Sequence, residues 1–213
     1  MKNILIANQK GGVGKSLIAD ELAFSFERSG IPFNFYDLDG QGGVIHQTKQ
    51  TDGAEISVID TPGAPQQSLR DWIDQADVII IPTRATSRDI EPLQRMQQAV
   101  QKAQEKGVPV LYVINGFNRF RASSDFLEWF KQSAEKDQIF TLPQSEQIVQ
   151  AFPSASTRST AARRVMCGSY ATLSGSWLAS KRKNKYVICQ GNISHNQKAI
   201  MHYVLDTQVI RSV

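Results

Sequence analysis

The sequence predicts an α/β fold, a mostly parallel β-sheet with helices on both faces, and three observations lead there. Apolar runs of strand length alternate with helical patterns through about residue 152. Val78-Ile79-Ile80-Ile81 is an unbroken β-branched run, the signature of a strand buried on both faces. The polar motifs fall at the carboxyl ends of the predicted strands, where open α/β sheets place their ligands.

Taken in order, strands are expected at 3–8, 33–38, 55–60, 77–82, 109–115 and 138–142. Helices are expected at 15–29, 65–75, 87–106, 122–136 and 144–152. The first helix carries Leu17, Ile18, Leu22, Ala23 and Phe26 on one side and stops at Gly30, with Pro32 just beyond. After Pro153 the pattern weakens. Residues 154–160 read as a loop, and a helix over about 161–183 has Tyr170, Leu173, Trp177 and Leu178 as its apolar side. Residues 184–213 show no clear period. The division is therefore a main domain over 1–153, a basic completion of it over 154–183 and a tail over 184–213.

The chain of 213 residues, 41% hydrophobic, suffices for one good-sized domain and has no apolar run long enough to span a bilayer. Its first residues lack the basic-then-apolar pattern of a secretory signal. Cys167 and Cys189 make neither a metal-ligand spacing nor a disulfide framework, which predicts a reduced, cytoplasmic protein. The net charge of +4 is unevenly distributed. Residues 1–153 hold 15 Lys and Arg against 19 Asp and Glu, whereas residues 154–213 hold 9 against Asp206 alone. Such asymmetry points to a polyanionic partner or to a solvated basic surface.

The strongest motif is Gln9-Lys10-Gly11-Gly12-Val13-Gly14-Lys15-Ser16, directly after Ile4-Leu5-Ile6-Ala7. Its small residues let backbone N–H groups converge on phosphate, and the next helix adds its positive end. Lys15 can reach β/γ-phosphates and the Ser16 hydroxyl can ligate Mg²⁺. This is a P-loop, and Lys10 is an addition to it that suggests phosphate charge neutralised from two directions. Period two sets Asp37 and Asp39 on one side of their strand, facing a Mg²⁺–phosphate site. Asp60, in Val58-Ile59-Asp60-Thr61-Pro62-Gly63, is placed to hold Mg²⁺, and Gly63 permits a γ-phosphate-sensing loop. Asn115 can offer donor and acceptor to a base edge, and Pro143 in Leu142-Pro143-Gln144 a wall for it. Each has a plainer reading: a strand-end Asp as turn former or cap, Asn115-Gly116 as a turn, Pro143 as a strand stop.

Together Lys10 to Ser16, Asp37-Leu38-Asp39 and Asp60 to Gly63 resemble the ParA/MinD family of deviant Walker A P-loop ATPases, and in particular the short ParA-type plasmid partition proteins. Ile81-Pro82-Thr83, Asn115 and Leu142-Pro143-Gln144-Ser145 add to the likeness, which covers roughly residues 1–152. The resemblance implies a P-loop NTPase fold, ATP and Mg²⁺ as cofactors, slow partner-stimulated hydrolysis and an ATP-sandwich homodimer. Under it, Lys10 crosses to the partner's phosphates while Lys15 acts within its subunit. The backbone of Gly11, Gly12, Val13, Gly14, Lys15, Ser16 and Leu17 binds phosphate, and Asn115 and Pro143 contact adenine. Ser16 and Asp60 hold the metal with support from Asp37, and Asp39 positions the attacking water. Leu17 departs from the family's common Thr, and Gly40 from its common Pro.

The functional expectation is a partition ATPase whose ATP-bound dimer binds nonspecific double-stranded DNA, with a ParB-like adaptor stimulating hydrolysis. Such a protein is cytoplasmic and nucleoid-associated when ATP-bound. Candidate DNA phosphate contacts are Arg158, Arg163, Arg164, Lys181, Arg182, Lys183 and Lys185. The alternatives are a MinD-like membrane-surface ATPase and a conjugation accessory ATPase. The apolar Ile200-Met201-His202-Tyr203-Val204-Leu205 lacks the cations of a membrane helix, so a membrane partner is disfavoured. A dethiobiotin-synthetase-like enzyme needs a substrate pocket that the sequence does not reveal. A nitrogenase-iron-protein type needs mid-chain cysteines, and both cysteines here lie after residue 160.

Overall fold

The computed structural model describes residues 1–40, 43–63, 66–134 and 138–143. These form β1 (Lys2–Ile6), α1 (Lys15–Ser29), β2 (Phe33–Asp37), β3 (Ile56–Asp60), α2 (Gln66–Asp74), β4 (Val78–Arg84), α3 (Ser87–Glu105), β5 (Val110–Phe117), α4 (Arg121–Phe130) and β6 (Ile139–Pro143). All neighbours in the sheet pair in parallel, in the order β2-β3-β1-β4-β5-β6.

Strand side chains alternate between two cores, as the pleat requires. Ile4, Ile6, Val58, Val78, Ile80, Leu111 and Val113 meet Ile18, Leu22 and Phe26 of α1 on one face. Leu5, Ile79, Ile81, Tyr112 and Ile114 meet Leu69 and Ile73 of α2, Met96 and Val100 of α3, and Phe126 and Phe130 of α4 on the other. Val78 to Ile81 have no exposure at all, which is why that run carries no polar alternation. The helices on both faces expected from the sequence are thus observed.

The register sets the site. β1 lies between β3 and β4, so strand order reverses at its two sides and opens the crevice where such folds take ligands. Asp37 pairs with Asp60, and Asp60 with Ile6, so both carboxylates end their strands level with the start of the P-loop.

Two boundaries differ from the sequence expectation in an informative way. The predicted helix 122–136 ends at Phe130, where Lys131 caps it and the N–H groups of Gln132 and Ser133 turn back three residues. Phe126 and Phe130 are the buried stripe, whereas Lys131 and Gln132 beyond them are exposed and only the small Ala134 continues the apolar side, so little burial supports another turn. The fifth strand, expected to stop at Asn115, runs to Phe117 through an irregularity at Gly116, whose φ of 70° suits glycine. The segments 144–152 and 161–183, and the tail, lie outside the described residues.

Candidate nucleotide-binding site

The chain leaves β1 through Asn8, which pins both sides of the turn. Its amide donates to the Pro82 carbonyl at 2.6 Å, and its Oδ1 accepts from the Lys10 N–H at 2.9 Å. Gly12 and Gly14 take left-handed conformations, with φ of 72° and 100°. A Cβ at Gly14 would also collide with the Asn115 amide, which donates to the Val13 carbonyl at 3.2 Å. Asn115 is therefore a bracket on the P-loop in this structure. Gly14 leads into α1, whose first N–H groups have no partner within the helix and converge with those of the loop. Leu17 withholds a hydroxyl but keeps its N–H in that set.

Lys15 is buried at 6% exposure, and its Nζ donates to the Lys10 carbonyl at 3.2 Å. Burial lowers its pKa, while the charges of Asp60 and Asp39 act against that. Asp60 has no exposure, and neither carboxylate oxygen has a hydrogen-bond partner. Burial raises its pKa to about 6, against the pull of the Ser16 hydroxyl and Lys15, and Asp37 and Asp39 push the same way as burial. Ser16 is close enough to favour the charged form yet falls short of a full hydrogen bond. Asp37 is also raised by burial, tempered by the Asp39 N–H that its Oδ1 accepts at 2.9 Å.

A buried carboxylate with two idle oxygens facing a hydroxyl and a lysine fits a hard divalent cation. Among the described residues no three His, Cys, Asp or Glu side chains converge as a metal cage. Mg²⁺ held by Ser16 and Asp60 would therefore rely on phosphate oxygens and water for its other ligands, as is usual for this ion.

The loop after β3 closes the site's other wall. Thr61 returns both its N–H and its hydroxyl to the Ile6 carbonyl, at 3.2 and 2.9 Å. Gly63 lies flat on the P-loop, where a Cβ would stand 3.3 Å from the Gln9 carbonyl oxygen. Pro143 is the last residue of β6, beside Phe117.

Lys10 takes a place that the sequence does not advertise. Its Nζ donates to Asp89 Oδ1 at 2.6 Å and to the Arg88 carbonyl at 3.3 Å, in its own subunit. Asp89 is 1% exposed, and its other oxygen accepts from the Thr86 hydroxyl. Pro92 has no N–H with which to occupy the Arg88 carbonyl four residues back, so that carbonyl is left to Lys10. Thr86-Ser87-Arg88-Asp89 is a helix-start signal with an acid three residues after the cap, and Pro92 follows. Read together they mark a carboxylate and a spare carbonyl at one helix end. Asp20 and His46, 2.6 Å apart through Oδ1 and Nδ1, are a second pairing that the sequence does not advertise. The candidate DNA contacts from Arg158 to Lys185 lie outside the described residues. No described helix is long and apolar enough to cross a membrane.

Comparison with known proteins agrees with this geometry. Residues 4–156 match the family model for the CobQ/CobB/MinD/ParA nucleotide binding domain. No curated protein sequence matches. Among solved structures, apo McdA from Cyanothece superposes with a TM-score of 0.59 at 19% identity, covering 71% of this chain and 89% of its own. A plasmid partition protein from Borrelia burgdorferi gives 0.57 at 19% identity, covering 70% and 93%. Cobyrinic acid a,c-diamide synthase from Mycobacterium smegmatis, with bound ADP and magnesium, gives 0.56 at 15% identity, covering 79% and 96%. At these identities the likeness is one of fold.

Proposed function

The chain belongs to the CobQ/CobB/MinD/ParA nucleotide-binding family, and from that premise we propose that it is a ParA-like, Mg²⁺-dependent ATPase. ATP binding drives its dimerisation, and the dimer binds nonspecific double-stranded DNA to partition or position it. A ParB-like adaptor stimulates hydrolysis. The observation that carries the reading is the buried, unpartnered Asp60 carboxylate set against Ser16 and Lys15 at the sheet's switch point. Solved relatives of the fold have been obtained with ATP, AMPPNP, and ADP with magnesium.

In this reading the P-loop N–H groups and Lys15 hold the phosphates, and Asp39 orients the attacking water. Ser16 and Asp60, supported by Asp37, hold Mg²⁺, which when bound neutralises charge that develops on the phosphate oxygens. Asn115 and Pro143 border the base. Lys10 reaches the phosphates of the second subunit, so neither subunit has a complete site alone and isolated hydrolysis is slow. ATP favours the dimer by its differential affinity for it, and hydrolysis removes that bias.

The test is binding of nonspecific duplex DNA with Mg-ATP, with Mg-ADP and without nucleotide, at two salt concentrations. Binding that requires ATP and weakens with salt is expected. Absence of binding in every state, with ATP hydrolysed normally, would transfer the switch to a protein or membrane surface.

A further inference from the structure

Ser16, Asp20, Phe24 and Glu27 lie four, four and three residues apart on α1, so they form one stripe along the helix. Residues 43–49 are laid along that stripe contact by contact. Gly43 sits on Ser16 so tightly that a Cβ would stand 2.7 Å from the Ser16 hydroxyl oxygen. The N–H groups of Ile45 and His46 donate to the two Asp20 oxygens at 2.7 and 3.0 Å, and His46 Nδ1 lies 2.6 Å from Asp20 Oδ1. The imidazole packs between Phe24 and Phe35, with ring centroids 4.3 and 5.4 Å away. Lys49 meets Glu27 at 3.2 Å and is fastened to β2 by a reciprocal pair of backbone bonds with Phe35.

One end is fixed to β2 through Lys49. The middle bends at Ile45 and His46 against Asp20, two to three residues from Gly43, so the Asp20–His46 contact restrains where Gly43 falls over Ser16.

A packing role alone explains this badly. An apolar side chain would fill the space between two phenylalanines, whereas here a fully buried carboxylate is present to receive three donors from the loop. We propose that Asp20 and His46 are positioning residues for the Mg²⁺ side of the nucleotide site, holding residues 43–49 along α1 so that Gly43 stays seated on Ser16. This rests on the functional reading above, which supplies the roles of Ser16 and Asp39.

The experiment compares the full chain with His46→Ala, His46→Asn and Asp20→Asn. Three quantities are read: the Mg²⁺ concentration giving half-maximal binding of a fluorescent ATP analogue, kcat and KM for ATP, and amide exchange across 43–49. His46→Ala should raise the Mg²⁺ requirement about tenfold and lower kcat by a similar factor, the usual range for residues that orient metal ligands. KM should move by less than about threefold, because the phosphate cradle is untouched. His46→Asn, whose amide can still donate to Asp20, should recover most of the loss. If His46→Ala does not fold, Asp20→Asn and His46→Asn decide, the first impaired and the second near the parent. Variants with faster exchange at 43–49 but the parent's Mg²⁺ requirement and kcat would overturn the positioning role and leave the ATPase reading intact. A parent protein that binds nucleotide without regard to Mg²⁺ would overturn the ATPase reading, and this proposal with it.

Discussion

Lys10 Nζ and Asp89 Oδ1 stand 2.6 Å apart within one subunit, so the lysine that the proposed dimer needs is engaged elsewhere in this structure. Lys10 is about one-third exposed, so solvent screening keeps the contact near 1 kcal/mol. Two such contacts must break per dimer. Asp89→Asn should therefore tighten ATP-dependent dimerisation roughly 5- to 30-fold, measured by sedimentation with a non-hydrolysable ATP analogue. Pro92→Ala, which restores a competing N–H for the Arg88 carbonyl, should act in the same direction. Dimerisation of Asp89→Asn equal to the parent's would show that the contact does not restrain Lys10.

Lys10→Ala separates the two lysines. Lys15 sits beneath the P-loop and neutralises phosphate in its own subunit, whereas Lys10 acts only across an interface in the proposed mechanism. Lys10→Ala should retain nucleotide binding within a few-fold and lose at least about 10³-fold in stimulated hydrolysis, the low end for a cation supplied in trans. Lys15→Ala should lose binding itself. Equal loss of binding in both would place Lys10 in its own subunit's cradle.

Asp60 sets a pH dependence of opposite sign to that of a salt-bridged carboxylate. Its folded pKa of about 6 exceeds the ordinary 3.8. Its contribution to stability is thus present below the unfolded value and lost as pH rises through about 6. At pH 7.5, without Mg²⁺ or nucleotide, Asp60→Asn should melt higher than the parent because it removes an unpaired buried charge. The gap should close by on the order of 5 °C as pH falls to 5. A gap that stays constant between those pH values would mean that Asp60 is satisfied in solution. The same substitution should raise the Mg²⁺ concentration needed for nucleotide binding by at least about tenfold, so stability and function are opposed at this residue.

The sheet was legible because its signals are local. Runs such as Val78 to Ile81, and the Gly30 stop after the first helix, state their structure within a few residues. The placement of Lys15, Ser16, Asp37 and Asp60 followed once parallel strands were assumed, since strand ends in register converge. The long-range partners were not legible. Lys10 meets Asp89 across 79 positions and Asp20 meets His46 across 26, and nothing in the spacing of either pair encodes a distance in space. Gly116 shows the same limit on a small scale, because its dipeptide with Asn115 reads as a turn whereas the strand runs on through it with a register shift. The helix starting at Arg121 was overextended because helical patterning alone does not say where burial stops.

Asn115 can be tested for two roles at once. It brackets the P-loop through the Val13 carbonyl, and the proposed function also places it beside the base. A bracket alone serves every nucleotide equally, whereas a base contact discriminates. Asn115→Ala should weaken ATP binding by about 1–2 kcal/mol while changing GTP binding less, measured by calorimetry. Equal weakening of both would confine Asn115 to the P-loop. Gly14→Ala should prevent binding of either nucleotide, since its left-handed backbone and the Asn115 amide both exclude a Cβ.

The charge of the final 60 residues supplies the last prediction. Nine cations against one acid over residues 154–213 motivate the DNA reading, and counterion release makes that reading quantitative. If six to nine of these side chains meet phosphates, affinity for duplex DNA falls about 10³–10⁵-fold between 50 and 200 mM salt. Replacing Lys181, Arg182 and Lys183 with alanine removes three candidate contacts. The slope of log K against log salt should then become shallower by about 2.7, and affinity should drop alike for unrelated sequences. A solvated basic surface that never meets the backbone predicts an unchanged slope. Measuring the slope in Mg-ATP and in Mg-ADP separates these further. A switch coupled to the nucleotide loses the steep slope in ADP, whereas a basic tail binding on its own keeps it in both.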